Sequence, residues 1–199
     1  MGVQGRLSRT FTGALLALSL ALPVAAQSGH TGTLDSIKIY NFGRVNANYY
    51  RGGQPGVQDF VDLASLGVKT VIDLQADGDP GEGNVVESSG MKFFRIGMTT
   101  SVAPTSGQIA QFLQIVNDPA NQPVYVHCAG GRHRTGVMTA VYRITEDQWT
   151  PDQAFKEMKT YKFGADFLHP EFKSFVYAFH PQPSAPTTTT LAENATATK

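Results

Sequence analysis

Apolar and polar positions along the chain alternate between two periods, and the switching marks out the elements. Gln58 to Leu66 places Phe60, Val61, Leu63, Ala64 and Leu66 on one helical face, stopped by Gly67. Val68 to Leu74 and Met91 to Gly97 are short apolar runs rich in β-branched and aromatic residues, which predicts strands. Thr105 or Ser106 caps a helix with Ile109, Phe112, Leu113 and Val116 on one side. Pro119 to Pro123 then breaks the chain, and Pro123 to Val126 reads as a buried strand. Val137, Ala140, Val141 and Ile144 return to helical spacing. Thr150-Pro151 opens a further helix with Ala154, Phe155 and Met158 inward. Phe163 to Pro170 is a turn, and Phe172, Phe175, Val176 and Phe179 define a last helix. Near the start, the alternating Ile37 to Phe42 and the turn-rich Asn48 to Pro55 predict a short antiparallel entry, while Gln75 to Gly83 reads as a glycine- and acid-rich loop.

Helices alternating with strands predict an α/β fold, a central mostly parallel sheet flanked by helices, with any ligand at the carboxyl ends of the strands. The chain has 199 residues and 41% hydrophobic content, enough for one domain, placed at 35–180. Arg6 and Arg9 before the apolar stretch Phe11 to Leu22, then Pro23 to Ala26, read as a secretory signal over 1–26, cleaved before Gln27. The expected location is secreted or periplasmic, with no stable membrane insertion once the signal is removed. Residues 27–34 form a polar lead-in, and 181–199, rich in proline, threonine and alanine, read as a disordered tail. Sixteen basic and sixteen acidic residues balance, so the charge gives no argument for a nucleic-acid partner. The single cysteine excludes an internal disulfide, and the histidines lack zinc-ligand spacing, so no metal and no cofactor is expected.

The chemistry concentrates after the Pro123 to Val126 strand. His127 and Cys128 stand at its carboxyl end, followed by Ala129, Gly130, Gly131, Arg132 and His133, then Arg134-Thr135-Gly136 at the start of a helix. A loop entering a helix turns its free N–H groups into one concavity, and the helix dipole adds positive character there. Gly130 and Gly131 allow the backbone to curl around an anion. Arg134 offers a planar fork to two phosphate oxygens. Such a field favours a cysteine as its thiolate, a nucleophile aimed at a phosphorus held by the loop.

His-Cys, five residues, Arg-Thr-Gly resembles the signature of the cysteine-dependent protein tyrosine and dual-specificity phosphatases. Tyr50-Arg51-Gly52-Gly53-Gln54-Pro55 resembles the opening of the plant-and-fungal atypical members and their bacterial relatives. The resemblance implies a dual-specificity phosphatase-like fold and a phosphocysteine on Cys128. It implies that Arg134 and the N–H groups from Ala129 through Gly130, Gly131, Arg132 and His133 hold the phosphate. It also implies that Thr135 assists through the cysteine sulfur and that His127 braces the loop. Arg51 has two readings, structural or phosphate-adjacent, and the structural one is preferred. Arg132-His133-Arg134 resembles the Lys-His-Arg of the fungal and plant atypical members, some of which act on inositol pyrophosphates, whereas Ala129 departs from the basic residue of inositide-directed members.

The family's general acid is an aspartate in the loop after the preceding strand. Here that loop, Met98 to Thr105, has no carboxylate. Asp77, Asp79 and Asp166 are the substitutes, with Asp77 the first choice, and Asp118 is expected at the far end of the sheet. The leading expectation is a phosphomonoester hydrolase acting on phosphotyrosine or related esters of a phosphorylated protein or small substrate. An inositol polyphosphate or pyrophosphate phosphatase, a phosphate-binding module with weak catalysis, and a rhodanese-like transferase remain alternatives. The last would not require the Arg134-Thr135-Gly136 ending.

Overall fold

The computed structural model describes residues 1–2 and 33–181. The predicted signal beyond residue 2, the lead-in up to residue 32 and the tail beyond residue 181 lie outside the described residues. Eleven principal elements follow in order: β1 (Gly43–Asn46), β2 (Tyr49–Gly52), α1 (Val57–Ser65), β3 (Thr70–Gln75), α2 (Glu82–Ser88), β4 (Lys92–Met98), α3 (Ser106–Asn117), β5 (Val124–His127), α4 (Arg134–Thr145), α5 (Pro151–Thr160) and α6 (Pro170–Ala178). The strands form one sheet in the order β1-β2-β5-β3-β4. β1 pairs antiparallel with β2, and the remaining three pairings are parallel. The α/β class with a mostly parallel sheet is therefore the observed one. Among the described residues no helix is long and apolar enough to cross a membrane.

β5 lies in the middle because it is apolar on both faces. All four of its residues are buried, as expected of a parallel strand covered on each side. Its side chains alternate between two cores. Val124, Val126 and Cys128 join the larger core, with Val137 and Met138 of α4 and Phe112 of α3. Tyr125 joins the smaller one, with Phe60 and Leu63 of α1 and Val86 of α2. His127, with the same parity as Tyr125, therefore faces away from Cys128. Burial of the larger core fixes α4 under β5 and so fixes where the intervening loop begins and ends.

Two expectations need correction. The alternation of Ile37 to Phe42 is real, but these residues are not in the ladder: the strand that pairs with β2 is Gly43–Asn46. Ile37 and Ile39 are buried in the smaller core instead, and Phe42 stacks on Tyr50 at 5.9 Å. The loop assigned to Gln75 to Gly83 is shorter at both ends: Gln75 closes β3, and the loop stops at Gly81, two residues earlier than expected, because α2 starts at Glu82. α2 is short, contains Gly83 and Asn84, and lacks a helical apolar stripe; its packing on β4 stabilises it. The helix caps follow the sequence: Thr105 and Thr150 each accept a hydrogen bond from the backbone N–H three residues on.

Candidate active site

The loop from Cys128 to His133 crosses from the end of β5 to the start of α4, and its shape is set by residues far away in the chain. The Gln54 N–H donates to the Ala129 carbonyl at 3.1 Å. Asn41 Nδ2 donates to the Gly131 carbonyl at 2.9 Å and reaches the Gly130 carbonyl at 3.4 Å. Arg51 Nη2 donates to the Gly131 carbonyl at 2.7 Å. With three successive carbonyls drawn outward, the trans peptide turns the N–H groups of Gly130, Gly131 and Arg132 the other way, into the concavity. Gly131 has φ of +62°, and a Cβ there would overlap the Gly52 carbonyl and lie 2.6 Å from the Gly53 nitrogen. Only glycine fits that approach.

The resulting cavity, about 260 Å³, is lined by Cys128, Ala129, Gly130, Arg132, His133, Arg134 and, from the β4–α3 connection, Thr100. A larger, mostly apolar groove of about 560 Å³ between α3 and α6 holds neither a cysteine nor an arginine, whereas the smaller cavity holds both. Cys128 is a free thiol at the cavity floor. Arg134 is 5% exposed; its Nη1 donates to Asp77 Oδ1 at 2.9 Å and to the Met98 carbonyl at 3.1 Å. Its Nε is buried without a protein partner. The Thr135 hydroxyl is buried and makes no hydrogen bond, so the bond to the cysteine sulfur implied by the resemblance is not formed.

The two remaining basic residues of the loop differ. His133 Nε2 donates to the Phe163 carbonyl at 2.9 Å, tying the loop to the segment after α5. Burial pushes the His133 pKa down, and nearby His169, Arg132 and Arg134 add to this, although the Phe163 carbonyl opposes it. Its ring lies 3.7 Å from that of His169, whose Nδ1 meets the Thr100 carbonyl at 3.1 Å and so holds the β4–α3 connection against the cavity. Arg132 is exposed; its guanidinium sits 5.7 Å from the Tyr40 ring, with Lys162 Nζ over the same ring at 4.2 Å.

His127 is fully buried on the opposite face. Its Nε2 is 3.1 Å from Glu82 Oε1 and its Nδ1 4.0 Å from Asp73 Oδ1. Arg51 is also fully buried, with its guanidinium 4.0 Å from the Tyr161 ring, and its bond to Gly131 gives it the structural place of its two readings.

Of the candidate acids, only Asp77 meets the cavity residues. Its side chain is 81% exposed, and the hydrogen bond from Arg134 holds its carboxyl below the usual range. Asp79 Oδ1 accepts from the Gly81 N–H at 2.8 Å. Asp166 is held by Lys159 and Lys173, both at 2.7 Å, which lower its pKa. Asp118 caps a turn at the amino-terminal end of β5, the far end of the sheet.

Glu82 and Asp73, buried beside His127, have no signature in the sequence: they come from separate elements and meet only in the fold. Burial raises the Asp73 pKa. Burial acts the same way on Glu82, but His127 and Gln54 outweigh it and bring that carboxyl net down. Ligand atoms of Asp73, Glu82 and His127 lie within 4.8 Å of one another, a spacing that could hold a metal ion. Arg95 already supplies positive charge there, 2.8 Å from Asp73 and 3.3 Å from Glu82, so the cluster reads as an ion network.

Residues 35–173 match the model of a family described as "DSP-PTPase phosphatase fused to NAD+ Kinase". The chain is 31% identical over 140 residues to "Inositol diphosphatase SIW14" of Saccharomyces cerevisiae, covering 67% of this chain and 50% of that protein. It is 32% identical over 127 residues to "Probable tyrosine-protein phosphatase DG1060" of Dictyostelium discoideum, covering 61% and 75%. The crystal structure of the core catalytic domain of the PP-IP phosphatase SIW14 from S. cerevisiae, in complex with citrate, superposes with a TM-score of 0.63 at 29% identity, covering 71% of this chain and 87% of that one.

Proposed function

The chain belongs to this family of DSP-type protein tyrosine phosphatases, and from that premise we propose that it hydrolyses phosphate esters through a phosphocysteine on Cys128. The observation that carries the reading is the concavity over Cys128, with three backbone N–H groups turned inward and the unpartnered Nε of Arg134 beside them. Donors fixed before substrate arrives need no reorganisation as charge builds on the phosphoryl oxygens. Cys128 Sγ attacks phosphorus, the P–O bond to the leaving group breaks, and the leaving oxygen takes a proton from Asp77. Water then attacks the phosphocysteine, giving its proton to Asp77, and the S–P bond breaks to return the thiolate and inorganic phosphate.

Asp77 reaches this role only with substrate bound. In the structure the hydrogen bond from Arg134 stabilises its carboxylate. A phosphate dianion that engages Arg134 removes that partner and brings negative charge close by. Both changes raise the Asp77 pKa toward that of a proton donor. A phosphate-release assay on p-nitrophenyl phosphate and a phosphotyrosyl peptide tests the function. Release by the wild type that disappears in Cys128→Ser supports it, and release that persists refutes cysteine chemistry.

A second reading is an inositol diphosphatase. Arg132, in the cavity lining, and Lys162 flank the Tyr40 ring, and among the described residues neither makes an ion pair. Two such cations suit a second phosphate on the substrate. Faster turnover of an inositol pyrophosphate than of phosphotyrosine, reversed in an Arg132→Ala/Lys162→Ala variant, would establish this reading. Export to a secreted or periplasmic location is also proposed, from the basic start, apolar stretch and small residues of 1–26. Mass spectrometry of the mature protein tests it: a start at Gln27 supports export, and an intact Met1 in cytosol overturns it.

A further inference from the structure

Asp77 stands at the apex of the connection between β3 and α2, with its side chain in solvent. Exposed loops wander, yet a general acid displaced by about 1 Å forfeits on the order of 10²-fold. Besides the bond from Arg134 to Asp77 itself, one guanidinium ties this connection at three points. Arg95 Nε donates to Asp73 Oδ2 at 2.8 Å, at the end of β3. Arg95 Nη2 donates to the Asp79 carbonyl at 2.6 Å, in the middle, and to Glu82 Oε2 at 3.3 Å, at the start of α2. One planar fork therefore reaches both ends and the centre of the segment that carries Asp77. Gly78 allows the close wrap, since a Cβ there would lie 3.0 Å from Arg95 Nη2.

The other oxygen of Glu82 faces the phosphate loop. Oε1 accepts from Gln54 Nε2 at 2.7 Å and lies 3.1 Å from Nε2 of His127, the residue before Cys128. The Gln54 backbone N–H in turn holds the Ala129 carbonyl. The same carboxylate thus belongs to the connection bearing the acid, contacts His127 on one side of the nucleophile, and reaches Ala129 on the other side through Gln54. We propose that Arg95 and Glu82 are positioning residues that set Asp77 relative to Cys128. The proposal rests on the reading of Asp77 as the general acid.

The test is a series of aryl phosphates of rising leaving-group pKa, run on the wild type, Asp77→Asn, Glu82→Gln, Arg95→Lys and the two double variants with Asp77→Asn. Glu82→Gln keeps shape and removes charge. Arg95→Lys keeps charge and removes the fork, at a side chain 27% exposed and so tolerant of change. Each should keep p-nitrophenyl phosphate turnover within about threefold while losing about tenfold on phenyl phosphate, within the range of lost acid catalysis. KM should move little in Arg95→Lys, because Arg95 makes no contact with the loop from Cys128 to Arg134. Added to Asp77→Asn, neither should cost more, the coupling expected of residues acting as one unit. Equal slowing of good and poor leaving groups, or full additivity with Asp77→Asn, overturns the proposal while leaving the phosphatase reading intact. An Asp77→Asn variant with no leaving-group bias sinks the acid assignment and the positioning role together. A wild type that releases no phosphate from any of the series overturns the functional reading itself.

Discussion

Replacing Gly131 with alanine should damage stability and turnover together, and the size of the effect follows from two local facts. The backbone there has φ of +62°, and a new Cβ would press on the Gly52 carbonyl and the Gly53 nitrogen. A left-handed conformation costs an L-residue about 1–2 kcal/mol. Forcing a methyl group into packed atoms costs typically about 1–3 kcal/mol, and here the opposing atoms are backbone rather than a side chain that could turn away. The two penalties are relieved by the same movement, so they combine to about 2–4 kcal/mol rather than their full sum. With a urea m-value of about 1–3 kcal/mol/M for a domain of this size, the unfolding midpoint should fall by about 1 M or more. The movement that relieves the clash carries the Gly131 carbonyl away from Arg51 and Asn41, so the cradle opens and kcat/KM should fall by about 10² or more. Urea titration with a common m-value, beside phosphate release, measures both. Gly107→Ala is the control: a Cβ there meets nothing within 4 Å, on the first turn of α3. It should leave turnover unchanged and raise stability by up to about 1 kcal/mol. A Gly131→Ala protein with wild-type midpoint and wild-type turnover would refute the account of the loop.

Other outcomes follow from the same geometry. Cys128→Ser should abolish turnover while still binding inorganic phosphate, since the N–H groups and Arg134 remain; isothermal titration alongside the activity assay separates the two. Arg134→Ala should lose substrate binding and turnover together, and Arg134→Lys should recover little, because a point charge cannot replace the fork; kcat and KM from a saturation curve decide this. The Asp77 carboxyl is held low by Arg134 before substrate binds and released when it binds. The basic limb of the kcat profile should therefore lie at higher pH than that of kcat/KM, which reports the free enzyme. Coincident limbs would argue against Asp77 as the acid. Arg51→Met should lower both stability and kcat/KM, because the Gly131 carbonyl loses its shortest donor; denaturation and turnover measured on one preparation show whether the two losses travel together.

The parts of the site legible in the sequence were those whose signals are local. Strand, glycine loop and helix succeed one another within Val124 to Ile144, so the position of Cys128 and Arg134 follows from neighbours in the chain. The structural reading of Arg51 could be weighed because it stands within the Tyr50 to Pro55 motif; its place on β2 beside β5 is what brings it to the loop. Glu82 and Arg95 were not legible. One begins a helix too short and too polar to announce itself, and the other lies on a strand whose pattern is apolar. Their roles arise where separate elements meet, and no spacing records that. Likewise the alternation of Ile37 and Ile39 reports burial correctly but cannot say whether a neighbour offers a ladder; the ladder begins only at Gly43.

The outward ties on the loop carbonyls come from Asn41, Arg51 and Gln54, residues about 75–90 positions upstream of the signature they serve. The signature is therefore not a portable cassette. Grafted onto another strand–loop–helix junction, Cys128 to Arg134 would bring its nucleophile and its guanidinium but leave behind the hands that hold its backbone open. For anyone building an enzyme from such parts, the unit to transplant is the pair of segments, Asn41 to Gln54 together with Val124 to Arg134, in the register that sets Gly52 opposite His127.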